Sequence, residues 1–313
     1  MSTPAQTGRV CPLRYRYGAE ALARAPEQGA ETLYVIGGLY GNLSALAAID
    51  ALAARESGVV TYCFNGDFNW FNVDDAGFIA INKAVLQHDA QQGNVEAELY
   101  GNDASAGCGC AYPDNVDAGT VERSNLIHAR LKTTALKYPA LCQQLSALPM
   151  VRRYCVGDLA IGVVHGDAES LAGWRFDVTA LDDPAQHGWR QEAFQRANVD
   201  VFASSHTCLP ALRSFTVDGR ERIIINNGAA GMPNFQDHPA GLITRISQNA
   251  PPFDIVYGVT HSGVHISAVT VAYDTAEWNE LFLRNWPQGS SAHQSYYGRI
   301  ISGPNHQIAA AFA

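Results

Sequence analysis

Five times along the chain an apolar, β-forming run gives way to a short polar segment that contains glycine or histidine. Thr32-Leu33-Tyr34-Val35-Ile36 ends at Gly37-Gly38-Leu39-Tyr40-Gly41-Asn42, and the run 59–64 ends at Asn65-Gly66-Asp67. A weaker run at 95–100 ends at Gly101-Asn102-Asp103, the run 159–164 at His165-Gly166-Asp167, and the run 199–203 at Ser204-Ser205-His206-Thr207-Cys208. Segments with helical spacing lie between them at 43–54 (capped by Asn42 or Ser44), 76–91, 120–137, 139–148 and 186–197. Repeated strand, polar turn and helix predict an α/β fold with buried strands. In such sheets ligands bind at the turns that follow the strands. Gly157-Asp158 and Asp218-Gly219 each separate two β-forming runs and predict hairpins. The run 264–273 reads as a closing strand. The organisation expected is an N-terminal arm at 1–31, one domain at 32–285 with a candidate insertion at 232–262, and a flexible tail at 286–313.

Hydrophobic residues make up 47% of the 313, enough for a sizeable core and too many for a disordered chain. With 30 acidic against 21 basic residues the formal charge is −9, which a phosphate-dense polymer repels, so no nucleic-acid partner is expected. No run approaches the ~18 apolar residues of a membrane helix, so no membrane partner is expected either. Residues 1–12 have no apolar core of a signal peptide. Seven cysteines is an odd number, and free thiols in a reducing cytoplasm are the expected state.

The polar residues at the strand exits include one Asp, one Asn and two His that can converge on a cation: Asp67, Asn102, His165 and His206. Mixed oxygen and imidazole donors suit Mn, Fe, Zn or Ni. Taken singly, each has an ordinary structural role: an Asp after Gly is a turn residue, an Asn makes an Asx-turn, and a strand-end His packs and hydrogen-bonds. Their order along the chain gives them weight together.

That order resembles the calcineurin-like metallophosphoesterases, whose pattern is Asp-x-His, Gly-Asp, Gly-Asn-His or a variant, a strand-end His, then Gly-His-x-His. The frames here are YVIGGLYGNLSAL, FNGDF, YGNDAS, VVHGD and ASSHTC, followed by INNGAAGMP and the closing HISAVTVAYD, spanning residues 32–274. The resemblance implies a four-layer α/β/β/α sandwich. It also implies a metal-activated water that hydrolyses a small phosphate mono- or diester. In that family the first-motif Asp and His and the last His hold one metal, and the second-motif Asp bridges two. The Asn, the fourth-motif His and the first His of the fifth motif hold the other.

Here Gly38 stands at the position of the first-motif Asp, Tyr40 at its His, and Cys208 at the last His. Three readings stay open. One metal binds through Asp67, Asn102, His165 and His206; or Tyr40 and Cys208 replace the lost ligands around Asp67 and, with the nearby thiols, make a differently tuned, non-phosphatase metalloenzyme; or the site is catalytically degenerate and the fold only binds a partner or ligand. One or two transition-metal ions are therefore expected. The catalytic expectations are His165 and, in place of the family's general acid, Asp103. Such a carboxyl donates a proton only if burial or an anion raises its pKa. Asn42 is expected to face the substrate. Cys108 and Cys110 are expected near the mouth of the site, as a soft-metal, disulfide or nucleophilic pair or as incidental loop residues. His238 or His261 reaching substrate, and Arg175 or Arg190 reaching phosphate, are weaker expectations. The sequence leaves the oligomeric state open.

Overall fold

The computed structural model describes residues 7–100 and 105–312. The strands are β1 (Glu27–Gly29), β2 (Thr32–Ile36), β3 (Val60–Asn65), β4 (Asp89–Gln91), β5 (Val151–Val156), β6 (Leu159–Val164), β7 (Val201–Ser204), β8 (Ala211–Val217), β9 (Arg220–Asn226), β10 (Gly241–Ser247), β11 (Tyr257–His261) and β12 (Val264–Val271). They form two six-stranded sheets, ordered β1-β5-β6-β7-β9-β8 and β11-β12-β10-β2-β3-β4. Strands β2, β3 and β4 run parallel to one another, as do β6, β7 and β9.

Successive side chains on a strand point to opposite faces, and this period-two rule assembles the layers. Leu33 and Val35 of β2 face inward and meet Ile161 and Val163 of β6, Val201 and Ala203 of β7, and Ile223 and Ile225 of β9. Tyr34 and Ile36 face outward onto helical residues such as Phe78, Ile127 and Trp278. On the far side Phe202 and Ile224 pack under Leu22, Ala193 and Phe194. Helices therefore cover the outer face of each sheet, giving the four layers expected.

Several segments differ from expectation. Residues 95–100, expected as a strand, instead form the helix Asn94–Leu99, and the neighbouring strand is β4, paired in parallel with β3. The helix expected over 76–91 ends at Val85 for the same reason. The expected arm lies against the body: β1 pairs with β5, and Tyr15 and Leu22 are fully buried. The segment 232–262 includes β10, which sits between β12 and β2 near the middle of its sheet. The expected flexible tail forms the helices Ser291–Ser302 and Ile308–Ala311. Arg123 of the helix Ala118–Ala135 ties the first of these down through Nε to Ser295 Oγ at 2.6 Å.

Candidate metal centre

The ends of the parallel strands bring four polar side chains to one point. β3 stops at Asn65, and the chain turns through Gly66 at φ +74°. A Cβ at Gly66 would lie 2.4 Å from the Gly93 backbone nitrogen and 2.7 Å from His165 Nδ1, so glycine is required there. Asp67 follows with φ 54°, and the nearby Tyr40 and Cys208 also hold left-handed backbones at φ 56° and 60°. Non-glycine residues adopt that region at a cost, and such residues cluster at functional sites. His165 closes β6, His206 follows β7, and Asn94 opens the helix after β4.

Backbone carbonyls fix the orientation of three of the donors, His165, His206 and Asn94. His165 Nδ1 lies 2.8 Å from the Asn65 carbonyl, and His206 Nε2 lies 3.2 Å from the Cys110 carbonyl. A carbonyl only accepts, so these nitrogens carry protons and the opposite ring nitrogens, His165 Nε2 and His206 Nδ1, face inward. Asn94 Nδ2 donates to the Cys108 carbonyl at 3.0 Å, which turns Asn94 Oδ1 inward as well. His165 Nε2 then stands 3.1 Å from Asn94 Oδ1, 3.2 Å from His206 Nδ1 and 3.4 Å from Asp67 Oδ1. Asp67, His165 and His206 present ligand atoms within 4.8 Å of one another, all buried. Four lone-pair donors aimed at one another repel unless a positive charge sits among them, and outer carbonyl bonds of this kind orient metal-ligating histidines. The residues present therefore fit a divalent cation bound by two imidazoles, one carboxylate and one amide oxygen.

The electrostatics agree. Burial lowers the pKa of His165, but the Asp67 carboxylate, the Asn65 carbonyl and Glu96 together outweigh it and the net shift is upward. Burial raises Asp67, yet His165 and His206 bring it below the ordinary carboxylate range. Burial and the neighbouring His165 push His206 down to about 3, so it stays neutral and able to donate a lone pair. The same point in space attracts a proton onto one member and keeps its neighbours as acceptors.

Asn94 occupies the place in the cluster expected of Asn102. Asn102 and Asp103 lie outside the described residues. The Gly-Asn pair beside the histidines is Gly93-Asn94, and Val95 follows it, a side chain with no proton to give. Glu96 completes this turn: its Oε2 accepts from the Asp67 and Gly93 backbone nitrogens at 2.7 and 3.1 Å. Burial and nearby Asp67 push the Glu96 carboxyl up to about 7.

Tyr40 and Cys208 meet each other, Oη to Sγ, at 3.0 Å. Burial leads the upward shift of both the phenol and the thiol. The two side chains expected as replacement ligands are brought together beside Asp67, in contact with each other. The Tyr40 ring also fills the space over Gly38, where a Cβ would lie 2.9 Å from Tyr40 Oη. An acid at position 38 and this tyrosine conformer exclude each other.

Asn42, expected to face the substrate, caps the helix Leu43–Ala53 instead: its Oδ1 accepts from the Ala45 nitrogen at 2.9 Å, and its Nδ2 donates to the Gly231 carbonyl at 3.1 Å. Cys108 and Cys110 do lie beside the site as buried free thiols: their carbonyls hold Asn94 and His206, and the Cys110 sulfur also accepts from Asn94 Nδ2 at 3.4 Å. His261 of the edge strand β11 bonds Glu221 of β9, Arg190 donates to the Leu181 and Asp183 carbonyls, and Arg175 stacks on Trp189. None of these, nor His238, lines the cavity that opens onto Asp67 and His206.

That cavity holds about 260 Å³ and is walled by Trp70, Tyr112, Trp174 and Tyr296, with Arg299 among its lining residues. Trp174 packs edge-on against His206 with centroids 5.1 Å apart. These wall residues carry no motif spacing. Tyr296 and Arg299 come from the helix near the C-terminal end, which sequence alone reads as tail.

No protein-family model matches the chain, and no curated protein matches it. Solved structures do. A metallophosphoesterase from Sphaerobacter thermophilus is 17% identical, with 87% of this chain and 100% of that chain covered and a TM-score of 0.53. A hypothetical protein from Pyrococcus horikoshii OT3 is 14% identical, with 88% and 99% covered and a TM-score of 0.58. The two helix-flanked sheets, the strand-end cluster and these likenesses together show that the chain has the calcineurin-like metallophosphoesterase fold.

Proposed function

We propose that the protein is a single-metal phosphoesterase-like hydrolase of small phosphate mono- or diesters. Asp67, Asn94, His165 and His206 hold one divalent transition-metal ion, Mn, Fe, Zn or Ni. The observation that carries this reading is the convergence of four backbone-oriented donors on one buried point, with His165 Nε2 within 3.4 Å of the other three. A divalent cation there supplies charge that polarises a phosphoryl oxygen and acidifies water. The chain's own residues do the rest. The Asn65 and Cys110 carbonyls hold the two imidazoles in their donor tautomers. The Val95 backbone nitrogen donates to Asp67 Oδ1 at 3.2 Å and fixes the carboxylate. The aromatic walls exclude bulk water and accept a flat or apolar ester group.

A single ion is favoured over two because the Tyr40 and Cys208 side chains occupy the second position and hydrogen-bond each other. With Val95 after Asn94, the position next to the ligand lends no acid to a departing alkoxide, which favours esters of acidic alcohols such as phenols. Purified protein with added Mn should hydrolyse p-nitrophenyl phosphate or its bis ester. His165→Ala should lower both turnover and bound metal at least ~100-fold and ~10-fold respectively, on the scale of lost ligands and general catalytic groups. Turnover that survives intact in His165→Ala would refute the assignment.

A further inference from the structure

The cavity beside the donor cluster contains one Lys or Arg side chain among its lining residues, Arg299, and one carboxylate, Asp67. Arg299 lies on the helix Ser291–Ser302 and bends over the half of the site where Gly38, Tyr40 and Cys208 stand. Its Nη2 donates to the Cys208 carbonyl at 2.7 Å and its Nε to the Pro233 carbonyl at 2.9 Å. Among the described residues no carboxylate comes within ion-pair distance of it, and its Nη1 makes no hydrogen bond. It is a cation held by two neutral carbonyls, half-buried, in the wall of a cavity that also exposes the cation-seeking cluster.

Charge arithmetic gives this arrangement a purpose. A divalent ion beside the Asp67 carboxylate leaves a net charge of about +1, too little to match a phosphate dianion. A second metal would make up the difference, but the Tyr40 and Cys208 side chains occupy its side of the site, with Oη and Sγ in contact at 3.0 Å. We propose that Arg299 takes the place of that second positive charge: the phosphoryl group of the substrate lies between the metal and the Arg299 guanidinium, which binds a non-bridging oxygen through its free Nη1. The two carbonyl bonds pre-set the fork, so little side-chain freedom is lost when the anion arrives. The substrate class that follows is a phosphate ester with at least one anionic non-bridging oxygen, its organic group against Trp174 and Tyr112. This inference rests on the single-metal reading above.

The test is titration of inorganic phosphate into Mn-loaded full-length protein by calorimetry, for the wild type, Arg299→Met and Arg299→Lys, with bound Mn and the thermal midpoint measured on each. Loss of one charge-assisted contact should weaken phosphate binding roughly 10- to 100-fold in Arg299→Met at unchanged Mn content. Arg299→Lys, which keeps the charge but cannot span both carbonyls, should fall in stability yet bind phosphate more tightly than Arg299→Met. Equal phosphate affinity in wild type and Arg299→Met overturns the inference. So does equal loss in the Lys and Met variants, since a mere brace for the two loops would give that result. Failure of the wild type to take up Mn sinks the hydrolase reading and this inference with it. Mn uptake with phosphate binding indifferent to residue 299 sinks the inference alone.

Discussion

At the residue scale, the buried imidazoles of this protein divide by what their two ring nitrogens meet. His165 and His206 each spend one nitrogen on a carbonyl and aim the other at a cluster of acceptors. His128 has the first feature without the second: its Nε2 lies 3.1 Å from the Val95 carbonyl, and the residue is 3% exposed. Burial pushes its pKa down to about 4 from an ordinary value of 6.5. The unfolded chain therefore takes up a proton at this residue before the folded one does. The stability it confers is fully present above pH 6.5 and is lost as pH falls towards 4, by an amount of order 3 kcal/mol for a shift of this size. Urea unfolding of wild type and His128→Gln between pH 7 and 4 checks this: the variant should show the shallower loss. Parallel curves would contradict it. That Asp67, His165 and His206 meet was legible in the sequence, because each follows a long β-forming run whose end is unmistakable. Asn94 was not, and the reason lies one level up.

At the scale of elements, the third strand exit was displaced by eight residues. Val95-Glu96-Ala97-Glu98-Leu99 alternates apolar and polar residues, which is the signature of a half-buried strand. Here neither glutamate faces water: Glu96 is 0% and Glu98 2% exposed. Glu96 binds the Asp67 and Gly93 nitrogens, and Glu98 is met by Tyr15 and Arg14 from the N-terminal segment. Two long-range partnerships thus convert an alternating run into a short helix, and local patterning has no access to either. The true strand, β4, is only three residues long and carries no period of its own. Gly93 is the hinge between them: a Cβ there would lie 2.2 Å from Asp67 Oδ1 and 2.6 Å from the Asp67 backbone nitrogen. Gly93→Ala should therefore displace Asp67 and Asn94 together, cost about 1–3 kcal/mol as an overpacked buried position, and reduce metal affinity more than stability alone explains. Thermal unfolding and metal titration of that variant measure the two effects, and wild-type metal affinity in Gly93→Ala would contradict this account of the turn.

At the scale of the whole molecule, the four layers follow from a few alternating strands, so the fold was legible long before the site was complete. Leu33 and Val35 facing one way and Tyr34 and Ile36 the other already require a sheet covered on both sides. What the sequence conceals is how its ends serve the centre. Residues before β2 supply Tyr15, which supports Glu98 behind the cluster, and the helix Ser291–Ser302 supplies Tyr296 and Arg299 to the cavity wall. Both segments look weakly patterned because their apolar contacts are few and distant in sequence. In the molecule that results, the donor cluster is flanked on one side by a tyrosine, a cysteine and an arginine. Among the described residues no helix is long and apolar enough to cross a membrane.

The central claim is that Asp67, Asn94, His165 and His206 hold one divalent cation. Calorimetric titration of Mn into chelator-treated protein tests it most directly, with wild type and Asn94→Ala compared side by side. The account predicts one ion per chain for the wild type and at least ~10-fold weaker binding for Asn94→Ala with the fold intact, on the scale of losing one ligand-shell contact. Two ions per chain, or binding in Asn94→Ala as tight as in the wild type, would contradict it.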